Sequence, residues 1–140
     1  MARHFFELEP RKLLFNNGQQ TLGVGISRGP CLTYLARKVV GVVGDAGFLY
    51  SSMELETAVR LKLNITVIVF RDGGYNMVAF QQGLAHGPTS GTEFGSQDLV
   101  KYAESPGCVV LRVNTPDALL PTLRKGLETP GMGSSSERAR

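Results

Sequence analysis

Two short apolar runs, Val39–Val43 (VVGVV) and Ile65–Phe70 (ITVIVF), each give way at once to small residues and an aspartate. Neither run alternates with polar residues. Continuous β-branched stretches of this kind suit strands buried on both faces, which means a parallel sheet covered by helices rather than a hairpin with one wet side. Between them Leu55, Ala58 and Val59 recur at i, i+3 and i+4, predicting an amphipathic helix over about residues 52–62. Ser51 with Glu54 three positions later reads as its capping box. A third apolar run, Val109–Val113, follows a helix expected over Asp98–Ser105 and stopped by Pro106-Gly107. Thr115-Pro116 opens another helix to about Leu127, with Pro121 expected to bend or weaken its first turns. Strand and helix in alternation predict an α/β fold, a parallel sheet with helices on both faces.

With 140 residues the chain has room for one domain. Its expected bounds are an N-terminal extension over 1–9, the domain over 10–128, and a polar, disordered tail over 129–140. Lys12–Phe15 reads as a strand running into Asn16-Asn17-Gly18, and Leu32–Arg37 as the remnant of a helix.

Composition excludes more than it proposes. A hydrophobic fraction of 42% can bury a core. The net charge of +3 is small and its basic residues are scattered, without the basic stripe and interleaved aromatics of a nucleic-acid binder. Cys31 and Cys108 stand far apart with no metal-ligand spacing, so both read as buried or inert thiols in a reducing compartment. No apolar stretch approaches a membrane span and no signal peptide opens the chain, which makes a cytoplasmic protein the expectation.

In parallel sheets ligands gather at the carboxyl ends of strands. Asp45 follows the first strand and Asp72 the second, so both fall on one edge of the sheet. Gly44-Asp45-Ala46-Gly47 can bring backbone N–H groups close to a phosphate. A carboxylate there would repel that anion unless a cation lay between them. Two carboxylates with a phosphate suit Mg²⁺, a hard cation of oxygen ligands, and Gly73-Gly74 can offer a carbonyl. The opposing reading is two ordinary turns, since Asp and Gly are common in them. Walker spacing is absent, and the Gly23-Val24-Gly25 stretch lacks the third glycine of a dinucleotide fingerprint.

The stretch from Gly44 to Met77 resembles the thiamine-diphosphate motif, which opens on Gly-Asp-Gly and ends near a pair of Asn or Asp residues. The blocks LLFNNGQQTLGVG, GFLYSSMELETAVRLK, GGYNMVAFQQ and DLVKYAESPG resemble the catabolic acetolactate synthases from about Pro10 to Leu127. The resemblance implies thiamine diphosphate and Mg²⁺ as cofactors, with Asp45, Asp72 and the Gly74 carbonyl as metal ligands. It implies that backbone groups of Gly44, Ala46, Gly47 and Tyr75 hold the diphosphate, with Asn76 and Met77 beside them. Leu22 matches the residue that props the bent cofactor, and Gln20 and Gln81 match polar residues facing a substrate pocket. Met77 and Phe80 read equally well as core residues. The implied reaction joins two pyruvates to 2-acetolactate with loss of CO₂, in branched-chain amino acid or acetoin biosynthesis. Pyruvate or another 2-oxo acid is the implied substrate, in a homo- or hetero-oligomer.

The chain departs from that family in four respects. The family's activating glutamate lies on a pyrimidine-binding domain that this chain does not carry, so the chain alone is expected to be inactive and holds no catalytic residue of its own. Ala46 replaces the second glycine of Gly-Asp-Gly, where its methyl is expected to crowd the diphosphate or to need a changed φ. The region Ile26–Arg37 departs from the family pattern, and the polar tail stands where its last strand is expected. A non-catalytic module that binds cofactor weakly or not at all is the alternative.

Overall fold

The computed structural model describes residues 38–129 and the backbone of 133–138. The strand expected at Lys12–Phe15, the helix remnant at Leu32–Arg37, Cys31, Gln20 and Leu22 lie outside the described residues.

Strand β1 (Val39–Gly44) pairs in parallel with β2 (Ile65–Arg71), in a register that sets Gly44 opposite Phe70. Strand β3 (Val109–Val113) does not pair with β2; β4 (Gly133–Arg138) lies between them, parallel to both, giving the order β1-β2-β4-β3. The parallel α/β reading therefore holds. The disordered tail does not: residues 133–138 form an inner strand. The reason is a backbone one. Two strands that each pair with a third but not with each other leave a slot two strand spacings wide, about 9.5 Å. Any extended segment can satisfy the facing N–H and C=O groups there, whatever its side chains. Apolarity was thus the wrong signal for this element.

One face of the sheet carries the core. Ile65, Val67 and Val69 point to it from β2, while Phe48, Leu55, Ala58, Leu99, Ala103 and Cys108 pack down from helices and loops. Ile65 is almost fully buried, which stabilises the fold by ~2 kcal/mol for a side chain of that size. Val39 and Val43 of β1 pack against the same cluster, whereas their alternate neighbours Val40 and Val42 are exposed on the other face. Burial pushes the Cys108 thiol up from its ordinary value, in keeping with an inert buried cysteine.

The helix expected over 52–62 is present, somewhat shorter, and a separate helix precedes it. α1 (Asp45–Ser51) begins directly at the end of β1, and α2 (Glu54–Arg60) follows after a two-residue break. Ser51 is therefore the last residue of α1, where its hydroxyl donates to the Gly47 carbonyl, and Met53 rather than Ser51 stands at the start of α2. Then comes α3 (Asn76–His86), which buries none of its residues, and α4 (Leu99–Glu104), capped by the Asp98 carboxylate accepting from the Lys101 N–H. That contact and the nearby Lys101 charge hold the Asp98 carboxyl below its ordinary value.

On the opposite face, α5 (Pro116–Glu128) starts with proline and continues through Pro121, which has no N–H to offer the Asp117 carbonyl. Its last turn is tied to the sheet at one point. The Gly126 carbonyl accepts from the buried Thr66 hydroxyl at 3.1 Å and from Lys38 Nζ at 3.2 Å, and Lys38 also donates to Thr129 at 2.6 Å. A cation at a helix C-terminus is electrostatically favoured.

Candidate functional site

The parallel pairing of β1 with β2 carries both chains out of the sheet on the same edge, and the two turns beyond them are bonded to each other. Asp45, first residue of α1, is 3% exposed although it is a carboxylate. Its Oδ2 accepts from the backbone N–H of Asp72 at 3.2 Å and of Gly73 at 2.8 Å, and its Oδ1 accepts from the Ala46 N–H at 2.9 Å. Three N–H donors compensate the burial of one negative charge. They occupy three of the roughly four lone-pair positions of a carboxylate, leaving one on Oδ1. What the residues of the two turns can offer is all oxygen: one free position on Asp45 and, in the turn bonded to it, the carboxylate of Asp72 and backbone carbonyls. That chemistry fits a hard divalent cation.

Gly44 caps α1 with extended backbone (φ −79°, ψ 167°), and Gly47 is buried inside the helix. Ala46 sits half-buried in the first helical turn, and among the described residues Lys62 is the only non-glycine with positive φ. The changed φ expected for Ala46 is thus not needed. Its backbone is ordinary helix, which any residue adopts.

Beyond Asp72, Gly73 takes φ +83°, a left-handed value that favours glycine. Gly74 is buried and bridged antiparallel to Glu93. Tyr75 stands at the start of α3, and Asn76 is its first residue. Met77 and Phe80 are not core residues. They are 65% and 63% exposed, and with Leu84 they form an apolar stripe at i, i+3 and i+7 on the outside of α3. Gln81 is exposed on the same helix.

Asp45, Ala46, Asp72 and Gly73 are thus brought into one bonded cluster, with Gly44, Gly74 and Tyr75 adjoining along the chain. Two features escaped the sequence. The first is that Asp45 holds the second turn by its backbone. The second is the contact of Thr92–Phe94 with Gly73–Tyr75, which no local pattern signals because a loop and a helix separate the two segments.

The carboxyl edge of a parallel sheet is where α/β domains take their ligands, and here a buried aspartate joins two glycine-containing turns on that edge. Residues 1–133 match the family described as "Thiamine pyrophosphate enzyme, C-terminal TPP binding domain". The chain is 51% identical over 133 residues to the acetolactate synthase of Bacillus subtilis and 47% identical to the catabolic acetolactate synthase of Raoultella terrigena. Each alignment takes in 94% of this chain but only 23% and 24% of those proteins, so the chain spans about a quarter of the length of the curated relatives it matches. Among solved structures, a thiamine diphosphate-dependent 4-hydroxybenzoylformate decarboxylase of Rhodococcus jostii superposes with a TM-score of 0.77 over 86% of this chain, at 24% identity. The benzoylformate decarboxylase of Polynucleobacter necessarius does so with a TM-score of 0.72 over 83% of it, at 26% identity. The chain belongs to the thiamine-diphosphate (thiamine pyrophosphate) enzymes and corresponds to their C-terminal cofactor-binding domain. Among its described residues, no helix is long and apolar enough to cross a membrane.

Proposed function

We propose that this chain is the diphosphate- and Mg²⁺-binding domain of an acetolactate-synthase-type enzyme. The observation that carries the reading is the bonding of Asp45 to the Asp72–Gly73 turn, which joins the two strand ends into one oxygen-rich site. Asp45, Asp72 and the Gly74 carbonyl would hold the metal. Backbone groups of Gly44, Ala46, Gly47 and Tyr75 would hold the diphosphate, with Asn76 and Met77 alongside. Leu22 would support the bent cofactor, and Gln20 and Gln81 would face the substrate. When bound, thiamine diphosphate supplies the nucleophilic carbon and electron sink that decarboxylation of a 2-oxo acid requires. The protein's share is position and charge. A cation between the carboxylates and the diphosphate removes a repulsion that this pair of turns would otherwise impose.

The substrate on this reading is pyruvate, condensed with a second pyruvate to 2-acetolactate in an oligomeric cytoplasmic enzyme. A pyrimidine-binding domain or subunit is needed to complete the site. The exposed Met77, Phe80 and Leu84 stripe on α3 supports such a partner, since an apolar helix face beside the site is costly to leave wet.

A second reading, a non-catalytic domain with weak or no cofactor binding, draws on one observation. The Asp45 carboxylate is already satisfied by three N–H groups, so the paired turns stand without a metal. Titration calorimetry with thiamine diphosphate separates the two readings. Binding that needs Mg²⁺ is expected on the first, and no binding in its presence supports the second. Acetolactate formation should appear only after addition of a pyrimidine-binding domain.

A further inference from the structure

The connection from α3 to α4 does not simply pass over the surface. Its start is fastened to α3 by a two-point contact, in which Gln82 Oε1 accepts from the Ser90 N–H at 2.9 Å and Gln82 Nε2 donates to the Ser90 carbonyl at 3.3 Å. It then lays Thr92–Phe94 antiparallel against Gly73–Tyr75. The Tyr75 N–H donates to the Thr92 carbonyl at 2.7 Å, and the Phe94 N–H donates to the Gly73 carbonyl at 2.9 Å. Thr92 is buried, and the Tyr75 and Phe94 rings meet edge-to-face at 4.6 Å.

The register of this bridge has a chemical consequence. The two hydrogen bonds flank the Gly74–Glu93 pair rather than joining it, so Gly74 is the non-hydrogen-bonded member of an antiparallel pair. The N–H and C=O of such a residue point away from the partner segment. The Gly74 carbonyl is therefore kept free of the bridge. Gly74 is also glycine for a different reason from Gly73. Its φ is not left-handed, but a Cβ there would lie 2.6 Å from the Thr92 carbonyl oxygen, the same atom that accepts from Tyr75. Gly73, at φ +83°, has nothing within 4 Å of its Cβ position.

We infer that Thr92–Phe94 is the positioning segment of the cofactor site, a short backbone strap that orients the Gly74 carbonyl, and that Gly74 is glycine because this strap lies against it. The inference rests on the proposal that Asp45, Asp72 and Gly74 hold a metal. Thr92, Glu93 and Phe94 are positioning residues in this scheme and touch neither metal nor cofactor.

The test uses the whole chain and two readouts: calorimetric affinity for thiamine diphosphate with Mg²⁺, and amide hydrogen exchange at Tyr75 and Phe94. Gly74→Ala is expected to speed exchange at both amides and to weaken binding about tenfold, the scale of one displaced ligand contact. Phe94→Ala, which removes the ring contact without touching the turn, should move both readouts in the same direction and by less. Where Gly74→Ala does not fold, Phe94→Ala decides by the same measurements. Opened amides with unchanged affinity would overturn the inference and leave the metal-site reading intact. So would weaker binding with both amides still protected. No Mg²⁺-dependent binding by the unaltered chain would overturn the metal-site reading and the inference together.

Discussion

The two turns at the sheet edge carry an aspartate each, and the protein treats them differently. Asp45 is buried, lies in the first turn of a helix and bonds three backbone N–H groups, two of them across the edge. Asp72 is exposed, and it is its backbone N–H, not its carboxylate, that ties its turn to Asp45. The first aspartate thus ties the two turns together, while the second leaves its side chain exposed. On the proposed reading, two residues that look equivalent in a motif would divide one task into a structural part and a chemical part.

The sharpest way to break this comparison is Asp45→Ala. Losing a buried carboxylate that satisfies three N–H donors should destabilise the fold by about 3 kcal/mol and also abolish Mg²⁺-dependent cofactor binding. Urea unfolding with calorimetry checks both, and unchanged stability would show that the two aspartates do not differ. Removing the metal with EDTA comes next. Cofactor binding should be lost while the urea midpoint of the cofactor-free chain stays put, because the Asp45 bonds need no cation. Asp72→Asn is milder, keeping an oxygen and losing a charge. Affinity should fall roughly three- to tenfold, with stability within ~0.5 kcal/mol of the parent, as for an exposed substitution.

A third aspartate supplies the smallest effect. Asp98 caps α4, and its carboxyl is held below its ordinary value first by the Lys101 N–H. A depressed folded-state value means a contribution present above the unfolded-state value and lost as pH falls through the folded one. Asp98→Asn keeps a capping oxygen that does not titrate. The variant should be slightly less stable than the parent at neutral pH and converge with it in acid through a shallower loss of stability, read from urea midpoints across that range. Equal slopes would mean the cap contributes nothing.

Much of this architecture can be read from residues alone where backbone and side chain give the same signal. VVGVV is apolar throughout and ITVIVF is broken only by Thr66, and they form adjacent parallel strands. Parallel strands must leave the sheet on one edge, which by itself makes Asp45 and Asp72 neighbours. The failures fall where the two signals part. Residues 133–138 carry no apolar pattern, yet they fill an inner slot of the sheet by backbone pairing. Met77 and Phe80 read equally well as core residues and as residues beside the site, and the core alternative is excluded by their exposure on a helix that buries none of its residues. Ser51 and Glu54 have capping-box spacing, but α1 had already begun at Asp45 and ends at Ser51.

By itself, then, the order of residues determined the sheet, its two core strands and the pair of aspartates at its edge, because hydrophobic burial and strand direction are properties of short segments. Only the tertiary structure decided which aspartate is buried, that Thr92–Phe94 lies against Gly74, and that a polar segment becomes an inner strand. Those outcomes depend on backbone hydrogen bonds between distant segments. Every residue except proline offers the same N–H and C=O, so the residue types do not announce which partners they will find.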